Sequence, residues 1–60
     1  MMNVKAIREA LGLKQEKFAQ RIGVSFATVN RWENGKAKPS PLAKEKLSRL
    51  AKQADLTLAE

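Results

Sequence analysis

Apolar residues fall at helical spacing in successive short stretches of this chain. Phe18, Ala19 and Ile22 lie at i, i+1 and i+4, which sets them on one face of a short helix over Gln15 to Ile22. Val29 and Trp32 lie at i and i+3 and mark the inner face of a second helix, over about residues 26–34. Helices this short can hide such faces only by packing on each other and on their neighbours. Between the two, Gly23 can take the left-handed conformation that reverses the chain without a Cβ penalty. Ser25 is placed to cap the second helix by accepting a free backbone N–H of its first turn. Two helices crossing at a steep angle bring their backbones close together, so a small residue suits Ala19. A bulkier residue at Ala19 or Gly23 is expected to open the angle. With Val24, these residues form the expected core of a helix–turn–helix pair.

The flanks read as helices too. Asn3 can cap a helix running to about Leu11, with Val4, Ile7 and Leu11 on one side and Gly12 as its stop signal. After the central pair, Lys36-Ala37-Lys38-Pro39 reads as a basic loop, because Pro39 cannot continue a helix and restrains the residue before it. Ser40-Pro41 then places a cap and a first-turn proline in the favoured order. The helix they open is expected to reach about Ala54, with Ala43, Leu47, Leu50, Ala51 and Ala54 facing inward. Residues 55–60 carry Leu56 and Leu58 without a clear period and read as a tail that frays, docks or serves a partner contact. The expected organisation is one all-α domain over residues 1–54 and a short tail.

Composition narrows the chemistry. Sixty residues make one domain, which buries only about 60% of its unfolded surface and is therefore modestly stable. The chain has no cysteine and no histidine, so disulfides and nearly every zinc-site pattern are excluded, and neither metal nor cofactor is expected. No stretch approaches the roughly 20 apolar residues of a membrane span, and the first residues lack the apolar core of a signal peptide, so a cytoplasmic location is expected. Catalysis has little to draw on. Without His, Cys, Tyr or a Gly-rich phosphate loop, the nucleophiles and bases reduce to Ser25, Ser40, Ser48, lysines and a few carboxylates. The chain is read as a non-enzyme. The last long helix is amphipathic and basic, but its apolar face is needed to close the core, which argues against a membrane role.

Charge adds a direction. The formal net charge is +6, and Lys14, Lys17 and Arg21 surround the first helix of the pair, with Arg31 on the second and Lys36 and Lys38 just after it. Such clustering suits nucleic acid, whose binding releases counterions and weakens as salt rises. Lys5, Lys44, Lys46 and Lys52 read equally well as a solvated face.

The run Gln15-x-x-Phe18-Ala19-x-x-Ile22-Gly23-Val24-Ser25-x-x-x-Val29-x-x-Trp32-Glu33-Asn34-Gly35 resembles the Cro and phage-repressor family, also called the xenobiotic-response-element family. The likeness covers roughly residues 4 to 52. It implies a compact four- to five-helix repressor-like domain with a central helix-turn-helix, whose second motif helix enters the major groove of an operator. The function it implies is sequence-specific transcriptional regulation by a repressor that acts as a homodimer on double-stranded DNA, with dimerisation free or only on DNA.

With Val29 and Trp32 inward, Phe26, Ala27, Asn30 and Arg31 should point outward or along the edge. Family members read bases from the positions matching Phe26, Ala27 and Arg31. The forked donors of Arg31 suit guanine O6 and N7, and a phosphate contact is its alternative. Phe26 and Ala27 depart from the polar surface of well-known relatives and offer only apolar contact, to thymine methyl groups; Phe26 reads alternatively as a partner-binding or core-edge aromatic. The resemblance places Gln15 on a phosphate at a helix N-terminus. Lys14, Lys17, Ser25, Thr28, Asn34, Lys36 and Lys38 are further phosphate candidates, although Ser25 is wanted as a cap and Asn34, before Gly35, can simply end the helix. Glu33 would repel phosphates unless neutralised, and the resemblance supplies Arg8 as its structural ion-pair partner. An antitoxin-like or protein-interaction module of the same fold, with a toxin or other protein partner and little specific DNA reading, is the alternative function.

Overall fold

Asn3 opens the first helix as expected: its backbone is extended and its side-chain oxygen accepts the Ala6 amide at 3.0 Å. The computed structural model describes residues 3–54, in which the chain forms α1 (Val4–Ala10), α2 (Gln15–Ile22), α3 (Phe26–Glu33) and α4 (Pro41–Gln53). Ser25 caps α3 by accepting from Thr28 N–H, and Ser40 caps α4 by accepting from Ala43 N–H, with Pro41 in the first turn where its missing donor is harmless. The protein is all-α, with four helices and no strand among the described residues. Leu11, Asn34 and Ala54 are C-caps, so α1, α3 and α4 each stop one residue short of the limit read from the sequence.

α2 packs most extensively on α3, α1 bridges α3 and α4, and α4 closes the other side of α2. Phe18, Ile7, Ile22, Leu47 and Val29 are completely buried where the four helices meet, with Val4, Ala19, Leu50 and Ala51 around them. Leu11, Val24 and Trp32 are only partly buried and pack against this centre from its rim. Ala54 is half-buried as well, because it lies past the last turn of α4. Leu56 and Leu58 fall outside the described residues.

Gly23 corrects one expectation. A Cβ there would meet only Lys46 Nζ, at 3.8 Å, so no close backbone approach demands glycine. Its φ of 87° does: the left-handed turn lets Gly23 and Val24 N–H both reach back to the Ala19 carbonyl. Size matters instead at Ala19, which is 2% exposed. Among the described residues no helix is long and apolar enough to cross a membrane.

Candidate nucleic-acid interface

Burial divides α3 lengthwise. Val29 is fully buried and Trp32 half-buried, which turns Phe26, Ala27 and Arg31 to the open side. Phe26 is 50% exposed, and Leu42 near the start of α4 is 64% exposed. Ala27 and Arg31 lie one turn apart at i and i+4 and so project from one face. Ser25 is held by its cap bond to Thr28 N–H at 3.1 Å and by a 2.9 Å contact between the two hydroxyls. Both hydroxyls therefore already have a partner within the protein.

A chain of hydrogen bonds runs along the polar edge where α1, α2 and α3 converge. Arg8 Nε donates to Glu33 Oε2 at 2.7 Å and Arg8 Nη2 to Glu33 Oε1 at 3.1 Å, while Arg8 Nη1 holds the Leu13 carbonyl at 3.0 Å. The pair is largely withdrawn from solvent, with side chains 15% and 6% exposed. Gln15 Nε2 donates to Glu33 Oε1 at 3.1 Å, and Gln15 Oε1 accepts from Asn30 Nδ2 at 3.3 Å. Asn34 Nδ2 then donates to Asn30 Oδ1 at 2.8 Å. Burial by itself would raise the Glu33 carboxyl, but hydrogen bonds from Arg8 and Gln15 and the charges of Arg8 and Lys5 outweigh it and hold the group below its ordinary value. The hydrogen bond to Glu33 likewise raises Arg8, which stays charged.

Two candidate contact residues of the sequence reading lie on this edge. Asn30 does not lie open beside Arg31; it is half-buried and bonded on both sides of its amide. Gln15 is also half-buried, and both ends of its amide are engaged internally. What α2 leaves open is its backbone: the N-cap Lys14 makes no side-chain cap bond, unlike Asn3, Ser25 and Ser40 on the other helices. The first-turn N–H groups of α2 thus have no side-chain acceptor among the described residues.

Lys14, Lys17, Arg21, Arg31, Lys36 and Lys38 are all exposed. The ion pairs among the described residues are Arg8–Glu33 and the solvent-facing Arg49–Glu45, so these six cations are not neutralised there. Lys46 has a role the sequence reading missed. Its Nζ donates to the Ile22 carbonyl at 3.1 Å, satisfying the end of α2 from α4. Val4, Trp32, Ala37 and Pro39, together with Lys5, Lys38 and Lys44, line an open groove of about 890 Å³ between α1, the loop and the start of α4. Among the described residues no group of acids could hold a metal ion.

Comparison with known proteins agrees with this architecture. The helix-turn-helix family matches residues 4–60. The uncharacterized HTH-type transcriptional regulator YiaG of Escherichia coli, found in three strains, is 45% identical over 47 residues, 78% of this chain. That stretch is 48% of YiaG, so the chain matches about half the length of these curated relatives. No solved structure matches it significantly.

Proposed function

The chain belongs to the helix-turn-helix family, and from that premise we propose that it is a sequence-specific DNA-binding transcriptional regulator, a repressor that lays α3 in the major groove of an operator. The observation that carries this reading is the division of α3, whose Val29 face is locked in the core while Phe26, Ala27 and Arg31 stand open on one side. In this arrangement Arg31 pairs with a guanine edge, and Phe26 and Ala27 contact thymine methyl groups. Lys14, Lys17, Lys36 and Lys38 flank the groove and neutralise phosphates, joined by Thr28 and Asn34 through their remaining hydrogen-bonding capacity. Gln15 contributes chiefly its backbone N–H at the uncapped start of α2, because its amide is committed to Glu33 and Asn30.

Repression is steric. A dimer covers two half-sites about 34–36 Å apart on one face of the duplex and blocks polymerase. Selection of bound duplexes from a random pool, with light scattering on the complex, tests the whole reading. A recoverable, symmetric motif bound by two chains supports it; indifference to every duplex at low salt overturns it. The exposed Phe26 favours one other reading, an antitoxin-like module that uses this aromatic to grip a protein partner. In that case Phe26→Ala abolishes the protein complex and leaves no DNA motif to lose.

A further inference from the structure

The three amides between α2 and the end of α3 take their orientation from one carboxylate. Ionised Glu33 only accepts hydrogen bonds, so Gln15 turns its amine toward it and its oxygen away. That oxygen faces Asn30, which must present its own amine. Asn30 is left with its oxygen for the amine of Asn34. Reversing any one amide would set donor against donor or acceptor against acceptor at its neighbours. The direction of the whole relay therefore follows from the charge on Glu33, which Arg8 holds in place with two bonds.

We propose that Asn30 is a positioning residue and not a base reader, and that Glu33 governs DNA specificity through the Gln15–Asn30–Asn34 relay by fixing the rotation of α3 against α2. The inference rests on α3 being the helix that enters the groove. Asn30, Glu33 and Asn34 fall at i, i+3 and i+4 along one edge of α3, and Gln15 ties that edge to α2. Ala27 and Arg31 project from the adjoining face, so they take their direction from the same rotation. Slackening the relay disturbs every base position read from α3 together, whereas removing a direct reader disturbs one.

A reversed relay provides the test. Asn30→Asp keeps the side chain's size but sets an acceptor against the Gln15 oxygen. Glu33→Gln removes the charge that orients the chain. Together they keep the net charge unchanged and rebuild the relay backwards: the new amide at position 33 donates to Gln15, whose amine donates to the new carboxylate at position 30, which still accepts from Asn34; Arg8 keeps its Nε bond to the remaining oxygen at position 33 and gives up its Nη2 bond. In the free protein, the Gln15 side-chain amide resonances should move on Asn30→Asp and return toward their original pattern in the double variant. On a duplex recovered by selection, each single variant should bind about tenfold more weakly, ~1.4 kcal/mol, with preference blurred over several base pairs. The double variant still lacks the Glu33 charge beside Arg8 but should lose less than the two single variants combined, a non-additivity that independent roles would not produce. Asn30→Ala, which adds no charge near phosphate, should blur preference in the same way, and thermal unfolding identifies any variant that has lost its fold.

Two results overturn the proposal: a change of preference at one base pair only, which persists in the double variant and makes Asn30 a direct reader, or Gln15 resonances that ignore Asn30→Asp. If those resonances respond as expected but the parent prefers no duplex, the specificity claim falls with the DNA reading while the relay stands.

Discussion

Protonating Glu33 removes the charge that three donors share, Nε and Nη2 of Arg8 and Nε2 of Gln15, and sets an O–H against the donor or donors on the protonated oxygen. Because the folded protein holds this carboxyl below its ordinary value, the folded state binds the proton less readily than the unfolded chain does. The stabilisation is therefore complete above the unfolded value of about 4.3 and is lost as pH falls through the lower folded value. Thermal unfolding followed from pH 7 downward should show this acid limb, and Glu33→Gln should flatten it. Arg8→Ala strands the carboxylate in a largely buried place and should cost about 3 kcal/mol by urea unfolding, whereas Arg49→Ala, on an exposed pair, should cost less than about 1. At Gly23 the expected penalty for alanine is about 1–2 kcal/mol, from the left-handed backbone alone, and asparagine should cost less; equal stability of the alanine variant would refute the conformational account. The left-handed turn at Gly23 was legible in the sequence, whereas the crowding also expected there is absent, since crowding is a property of the neighbouring helix.

At the scale of elements, the helix starts were legible because capping is local. Asn3, Ser25 and Ser40 each lie three residues before the amide they accept, so the signal and its partner sit in the same short stretch. Ser25→Ala and Ser40→Ala should each cost about 1 kcal/mol of stability, but only Ser25→Ala should also weaken DNA binding, because it loosens the first turn of α3; paired melting and titration curves would separate the two. The contacts that sequence reasoning did not reach are the long-range ones between flexible chains. Lys46 finds the Ile22 carbonyl, and Asn30 finds Gln15, across many intervening residues. No spacing rule announces such pairs, because they depend on how α4 and α3 are set against α2.

The whole molecule hangs on a small centre. Phe18 is the largest of its completely buried side chains, and Phe18→Ala should remove about 3–5 kcal/mol, comparable with the entire stability of so small a domain. Loss of cooperative unfolding at room temperature is the expected outcome. The apolar periodicity was enough to locate this centre, since Phe18, Ile22, Val29 and Leu47 all lie on faces the spacing had assigned inward. Rim and core could not be told apart in the same way: Val24 and Trp32 follow the pattern yet stay partly open. Electrostatics also acts at this scale. Affinity for duplex DNA should fall steeply with salt, and Lys14→Ala or Lys36→Ala should each reduce the slope of log affinity against log salt by about one while leaving base preference intact.

In Asn34-Gly35 the glycine backbone nitrogen tends to attack the asparagine side-chain carbonyl and expel ammonia, ageing the chain through a succinimide that water opens to a carboxylate. Here the leaving amine is held by the Asn30 oxygen and the attacking glycine N–H by the Trp32 carbonyl. The reaction should wait for the end of α3 to open, so slow deamidation in stored samples becomes a clock for that fraying. Chains that have aged carry an added carboxylate facing the Asn30 oxygen, and they should elute separately on cation exchange with weakened hold on DNA.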